Sequence, residues 1–141
     1  MGQTAKWFDG RIGTATGTAT WQLELTEFLK TQSWRRVVIQ VLVRDVRLNG
    51  AGAIKLTWQG CVQADSKFLY DIARGGSPFA TNLDESNKMF GPVRIEWGAA
   101  ATPGDREGLA GFLGFRADPT TGGTAPWSAT IEIWVLLTDP V

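Results

Sequence analysis

The sequence predicts an all-β protein: a single antiparallel β-sandwich, jelly-roll-like, with about seven or eight strands. Three observations lead to this class. Several segments alternate apolar and polar residues with the period of two that a half-buried strand requires. Loops rich in glycine and proline separate these segments, and helical periodicity is almost absent. With 141 residues, 43% of them hydrophobic, the chain suits one domain with a packed core.

The first 20 residues differ in composition from the rest of the chain. Residues 13–20, GTATGTAT, favour an extended path over a helix, because Thr is β-branched and Gly loses much entropy when fixed. We therefore expect residues 1–20 to form an extended N-terminal arm and residues 21–141 to form the sandwich domain. Such an arm can add a strand to a neighbouring subunit's sheet. Its deletion should weaken assembly while the monomer stays folded.

The strongest strand is predicted over residues 35–48, RRVVIQVLVRDVRL. One face is wholly apolar, with Val37, Ile39, Val41 and Val43. Val38 and Leu42 on the other face indicate a central strand that is covered on both sides over part of its length. An Asn-Gly pair at 49–50 is a strong hairpin signal. Residues 54–62 are therefore predicted to be the antiparallel partner of this strand, with a polar face that could serve as an interface.

The remaining strands follow in short segments. Residues 64–67 turn the chain, and FLYDIA, residues 68–73, forms the next strand. Residues 75–92 are predicted to be a loop with one helical turn near 83–89. Strands are then predicted over residues 93–97 (VRIEW), 109–115 (LAGFLGF) and 127–137 (WSATIEIWVLL). In the last strand, Trp134 and Leu136 share the face opposite to Ile131, Ile133 and Val135, so Trp134 is expected to point out of its sheet.

The charge balance argues against two classes of partner. Lys and Arg total 14 and Asp and Glu total 14. A nucleic-acid binder gains affinity by neutralising phosphates, and an anionic membrane attracts basic proteins, so neither partner is expected. No apolar run reaches the length of a transmembrane helix, and the start, MGQTAKWFDGR, lacks the apolar core of a classical secretion signal.

The sequence offers little catalytic chemistry. It contains no histidine, which removes the common triads, histidine-bound metals and the usual neutral-pH base. Cys61 is expected to be a small residue within a strand. A glycosidase-like pair could be drawn from five carboxylates, but a solvated face explains them equally well: Glu96, Asp105, Glu107, Asp118 and Glu132. The loop LDESN, residues 83–87, suits a helix cap by Asp84 better than a calcium site. We expect no enzyme activity, no cofactor and no metal.

Seven tryptophans are the unusual feature of the composition. Trp58 and Trp97 are in phase with apolar neighbours and are expected in the core. Four others lie near predicted strand starts, where they can seal the ends of a sandwich: Trp7, Trp21, Trp34 and Trp127. Exposed rings suit either a subunit interface or a platform for sugars. The candidates for such an interface or ligand surface are Trp7, Trp34 and Trp134.

The segment VQADSKFLYDIA, together with VRIEW and the closing TIEIWVLL, resembles small β-sandwich structural and decoration proteins of phage virions. Gln63, Asp65, Ser66, Phe68, Asp71 and Ile72 carry the first part of the likeness, with Asp and Ser exchanged in order. Val93, Arg94 and Ile95 carry the second. The resemblance implies a structural role in a shell, and no catalytic residues come with it.

These observations lead to two expectations about function. The first is a non-enzymatic structural assembly protein, a virion or shell component (capsid, cement or decoration, or tail-associated). It would form a homo-oligomer or a larger assembly, in a virion or a cytoplasmic assembly. The alternative is a carbohydrate-binding module that uses surface tryptophans, Trp134 among them, to bind a glycan.

Overall fold

A computed structural model describes residues 2–14, 20–49, 52–74, 77–78, 80–86, 88–96, 109–120 and 126–140. Two short 3-10 turns span Leu25–Glu27 and Ser66–Phe68, and no α-helix occurs in these ranges. The strands are β1 (Gln3–Thr14), β2 (Trp21–Gln22), β3 (Leu29–Lys30), β4 (Trp34–Arg47), β5 (Ile54–Cys61), β6 (Tyr70–Asp71), β7 (Ala73–Arg74), β8 (Ser77–Pro78), β9 (Ala80–Leu83), β10 (Met89–Glu96), β11 (Phe112–Pro119) and β12 (Trp127–Pro140).

Two antiparallel sheets contain most of these strands. The first sheet has the order β1-β12-β4-β10. The second has the order β2-β11-β5-β6, with β3 also paired to β11 and β9 also paired to β5. A separate two-stranded ribbon joins β7 to β8. The described residues thus form four and six strands in the two sheets, more than the seven or eight expected, because several strands are only two to four residues long.

The pairing pattern is that of a jelly roll. The chain folds back on itself, so that β1 pairs with β12, β2 and β3 pair with β11, β4 pairs with β10, and β5 pairs with β6 and β9. Two further pairs, β4 with β12 and β5 with β11, join these into the two sheets. The predicted all-β, antiparallel sandwich is confirmed.

The core lies between the sheets and follows the period-two pattern of the sequence. The first sheet contributes Ile12, Val37, Ile39, Val41, Ile95, Ile131, Ile133 and Val135, all nearly inaccessible. The second contributes Leu23, Ile54, Leu56, Trp58, Leu113 and Phe115, also nearly inaccessible. Because each buried aliphatic or aromatic side chain contributes roughly 1.5–3 kcal/mol, this core supplies the main driving force for folding.

A bulge in β1 helps to hold the two sheets together. The register between β1 and β12 shifts between Lys6 and Phe8, so the neighbours Trp7 and Phe8 both reach Phe115 of the second sheet. Their ring centroids lie 5.7 and 5.5 Å from that of Phe115, at nearly perpendicular angles. Trp7 also lies 6.5 Å from Trp58. Such edge-to-face packing adds to the energy of burial.

The predicted hairpin between residues 35–48 and 54–62 is wrong. β4 belongs to the first sheet and β5 to the second, so the connection between them crosses from one sheet to the other. Asn49 has the positive φ that the turn signal indicated, at 50°. β5 is a central strand of the second sheet, paired with β11 along one edge and with β9 and β6 along the other, and it is buried on both faces over most of its length.

The predicted arm also differs from the structure. Residues 3–14 form β1, which pairs along its length with β12, and Ile12 is fully buried. The stretch therefore belongs to the sandwich, because its aromatic and aliphatic side chains complete the core. Residues 15–19, which hold most of the GTATGTAT repeat, lie outside the described ranges.

The predicted loop over residues 75–92 contains more strand than expected. β8, β9 and the first half of β10 fall within it. In place of a helical turn, the Asp84 carboxylate accepts hydrogen bonds from the Ser86 backbone N–H at 2.9 Å and from its hydroxyl at 2.7 Å. Such short-range side-chain bonds favour a turn over a helix. The predicted strand over 93–97 forms the second half of β10, and Trp97 lies outside the described residues.

Candidate interaction surface

The side of the first sheet that faces away from the core carries the most distinctive surface of the described residues. We call it the outer face. Strand register brings residues of all four strands together there. Trp134 of β12 lies opposite Lys6 of β1 and Gln40 of β4, and Met89 of β10 lies opposite Leu42 of β4. Leu136 of β12 lies opposite Val38 of β4. The outer face is therefore built from residues far apart in sequence.

The centre of the outer face is apolar and exposed. Trp134, Leu136 and Met89 are 37%, 38% and 53% exposed, and they are three of the five large exposed hydrophobic residues in the described ranges. A shallow groove of about 280 Å³ runs beside Trp134 and Leu136, next to Val38 and Pro92. Apolar surface that is gathered in one place on a folded chain is typical of an interaction site.

A first charged cluster lies at one end of this apolar centre. Arg44 Nη2 lies 2.7 Å from Glu132 Oε2, and Arg44 Nη1 lies 3.4 Å from Asp9 Oδ1. Lys6 Nζ lies 3.1 Å from Asp9 Oδ2, and it also sits 5.7 Å from the ring centroid of Trp134. Two cations thus meet two carboxylates, and the cluster carries no net charge.

A second charged cluster lies at the opposite end. Arg36 Nε lies 3.2 Å from Glu96 Oε1, and Arg36 Nη1 lies 3.1 Å from Asp139 Oδ2. Arg94 Nε lies 2.8 Å from the same Glu96 oxygen. Again two cations meet two carboxylates. The outer face therefore has an apolar centre between two charged rims, and neither rim carries a net charge.

A polar network links the strands of the second sheet, on the opposite side of the molecule. On the second sheet, Arg116 Nη2 lies 2.8 Å from Asp71 Oδ2, and Arg116 Nη1 contacts Asp118. Gln59 donates to Asp71 Oδ1 at 3.2 Å, and Gln22 donates to Gln59 Oε1 at 2.8 Å. The hydrogen bond from Arg116 lowers the pKa of Asp71, and the same contact raises the pKa of Arg116. The network spans β2, β11, β5 and β6 and braces that sheet.

The polar face of β5 was expected to be a possible interface, and the structure contradicts this. Thr57, Gln59 and Cys61 are all buried, so this face is covered by other parts of the chain. Cys61 is a free, buried thiol whose pKa is raised by burial, which leaves little reactive thiolate. Its expected role as a small residue within the sheet is confirmed.

The three candidate tryptophans lie in different environments. Trp7 is half-buried between the sheets, and its Nε1–H donates to the Glu27 carbonyl at 2.9 Å. Trp34, at the start of β4, is half-buried and packs against the core. Trp134 lies on the outer face, as its phase in the strand predicted.

Sequence reasoning did not identify the other parts of the outer face. Met89 fell in a predicted loop, although it begins β10 and lies opposite Leu42. The two charged clusters join residues from different strands, and no local spacing reveals them. The one available signal was the pair Val38 and Leu42 on the second face of β4.

The carboxylates that were considered for catalysis are kept apart. Glu96 and Glu132 lie at opposite ends of the outer face, and Asp118 lies on the other sheet. Each is paired with an arginine, while Asp105 and Glu107 fall outside the described residues. Within the described ranges, no group of three or more His, Cys, Asp or Glu side chains is placed to hold a metal ion.

A search for membrane spans among the described residues finds no helix that is long and apolar enough to cross a bilayer. No protein-family model, curated protein or solved structure matches the chain.

Proposed function

We propose that this protein is a non-enzymatic structural assembly protein, a virion or shell component such as a capsid, cement or decoration, or tail-associated protein, that acts in a virion or a cytoplasmic assembly. The observation that carries the proposal is the outer face, with its exposed apolar centre between two balanced charged rims. Subunit contacts of this kind need burial of apolar area more than they need catalytic groups.

The apolar residues on both faces of β4 also support an assembly function. Val38 and Leu42 point outward from a central strand and are half-buried. Apolar residues on both faces are typical of a strand that is covered on both sides. A neighbouring subunit would provide this second cover.

The jelly-roll strand order adds support by analogy. This architecture is used by viral capsid proteins, lectins and cupins, although a fold alone does not determine a function. The sequence lacks histidine, so a histidine-bound metal centre is not available to it. Shell assembly, as in capsid proteins, and sugar binding, as in lectins, match the two functions expected from the sequence.

The partner that fits the outer face best is a second copy of this chain. Each rim carries two cations and two carboxylates, so the rims of two copies related by a two-fold axis meet without net repulsion. A two-fold interface places the same patch on both subunits, which requires a self-complementary surface. The apolar centres of the two copies would then pack on each other.

The test is native mass, measured by light scattering on a sizing column at several concentrations. We expect the natural sequence to form a defined oligomer or a larger particle. Trp134→Glu places a charge in the apolar centre and should weaken association by about tenfold or more.

Val62→Glu is the matched control, because Val62 is 61% exposed and lies outside the outer face. It makes the same kind of change and should leave the mass unaltered. A 15.3 kDa monomer at all concentrations, or equal effects of both variants, would overturn self-association through this face.

The carbohydrate-binding alternative rests on Trp134, the exposed tryptophan among the described residues. Lys6 lies over its ring, which leaves less of the ring free to stack on a sugar. A glycan screen followed by tryptophan fluorescence tests this function. If the protein binds a glycan through Trp134, tryptophan emission should change on addition of the sugar, and Trp134→Ala should abolish this change. Glycan binding that survives the substitution would exclude Trp134 as the stacking platform.

A further inference from the structure

A second feature of the molecule lies at one end of the first sheet, beyond the first charged cluster. A cleft of about 500 Å³ opens there between the end of β1, the end of β4 and the start of β12. The described residues that line it include Arg11, Gly13, Arg47, Asn49, Trp127 and Ser128. The proposed assembly function does not use this cleft.

Strand register explains why the cleft forms. Gly13 lies opposite Ser128, and Ser128 lies opposite Arg47, so these three form one row across β1, β12 and β4. Arg11 lies two residues before Gly13 and therefore points to the same side of the sheet. Two small residues form the floor, and two long cationic side chains stand at its sides.

Gly13 cannot carry a side chain, because a Cβ there would collide with the neighbouring strand β12. Its φ is +151°, and an added Cβ would lie 2.9 Å from the Ser128 Cα and would also overlap the Trp127 carbonyl oxygen. The side chain of Asn49 donates to the Pro126 carbonyl and ties the end of β4 to the start of β12. The walls of the cleft are thus held in place.

The charge of the cleft is positive. Among its described lining residues there are two arginines and no carboxylate. Asp45 is the neighbouring acid: its Oδ2 lies 3.3 Å from Arg47 Nε, and it contacts neither terminal nitrogen of Arg47. The hydroxyl of Ser128 adds a further donor.

We propose that this cleft binds a tetrahedral oxyanion, a phosphate or sulfate group, held by Arg11 and Arg47 above the floor of Gly13 and Ser128. Arginine presents a planar set of donors that matches such oxygens in pairs. The cleft is open to solvent, so the group is either a free ion or the end of a larger phosphorylated or sulfated molecule.

The test is an NMR titration of the full chain with inorganic phosphate at constant ionic strength. We expect saturable shifts in the backbone N–H signals of Gly13 and Ser128 and in the side-chain Nε–H signals of Arg11 and Arg47. Arg11→Gln and Arg47→Gln should each weaken binding by about tenfold, since each removes a charge-assisted hydrogen bond.

The matched controls are the single variants Lys30→Gln and Arg35→Gln. Each removes one positive charge from an exposed position, on β3 or at the far end of β4, and should bind phosphate as before. Absence of saturable shifts, or equal weakening by either control, would overturn the proposal.

A further arm uses a short oligothymidylate. Binding no tighter than that of inorganic phosphate supports a site for a single group. Binding of the oligonucleotide alone would overturn the single-group site in favour of a polynucleotide surface. Light scattering on the same samples separates this result from the assembly proposal, because the cleft variants leave Trp134, Leu136 and Met89 unchanged.

Discussion

At the scale of single residues, the most informative positions are buried polar groups. Thr57 is fully buried, and its hydroxyl has no hydrogen-bond partner. Thr81 is also buried, but its hydroxyl oxygen accepts a hydrogen bond from Trp58 Nε1–H at 3.2 Å. Both hydroxyls are shielded from solvent, but only the Thr81 hydroxyl makes a hydrogen bond. The same substitution at the two positions should therefore change the free energy of unfolding in opposite directions.

Thr57→Val should raise the free energy of unfolding by about 1 kcal/mol, because it removes an unpaired buried hydroxyl and keeps the side-chain shape. Thr81→Val should lower it by about 1–2 kcal/mol, because the buried indole N–H of Trp58 loses its acceptor. Urea denaturation of both variants measures the difference. The same sign of change at both positions would contradict the hydrogen-bond assignment.

At the scale of elements, β1 shows how an edge strand can be essential. Its N-terminal half brings Trp7 and Phe8 to Phe115, and its C-terminal half buries Ile12. The strand is at the edge of its sheet, so its removal breaks pairing with one neighbour only, β12. Its importance comes from the side chains that it adds to the core.

Deletion of residues 1–20 should therefore unfold the domain, in contrast to the folded monomer that the arm hypothesis predicts. The loss of three large buried or half-buried side chains costs roughly 1.5–3 kcal/mol each before any cavity term, which is comparable to the whole stability of a small domain. Circular dichroism and urea denaturation of the truncated chain provide the measurement. A cooperative transition close to that of the full chain would restore the arm hypothesis.

At the scale of the whole molecule, the two sheets have different outward sides. The first presents an apolar centre between charged rims, and the second is braced by the network around Arg116. Substitutions in the network around Arg116 should therefore change stability, whereas substitutions in the apolar centre of the outer face should change the proposed association.

The network makes the stability of the molecule sensitive to acid. Because Arg116 lowers the folded-state pKa of Asp71, this carboxylate stabilises the fold above its unfolded pKa of about 3.9, and the contribution is lost as the pH falls through the lower folded value. Asp71 is partly exposed, so solvent screening keeps the effect small.

Asp71→Asn should therefore reduce the decrease in the free energy of unfolding as the pH falls below about 4. Urea denaturation at several pH values in that range measures this decrease. If the free energy of unfolding of this variant depends on pH as it does for the natural sequence, the Arg116–Asp71 pair does not contribute to acid sensitivity.

Much of the fold could be predicted because the signals are local. β4, β5 and β12 appear in the alternation of their own residues, and the outward direction of Trp134 follows from its phase against Ile131, Ile133 and Val135. The period of two is a property of the strand itself and needs no knowledge of its neighbours.

The tertiary structure decided which strands are neighbours and which faces remain exposed. The sequence by itself determined the class of the fold, the position of the main strands and the lack of histidine chemistry. Only the structure separated β4 from β5, included β1 in the sandwich, and covered Thr57 and Gln59. It also assembled the charged rims and the arginine cleft from distant strands. The reason is physical: a strand's own residues set its pleat, whereas its neighbours and its exposure depend on non-local contacts.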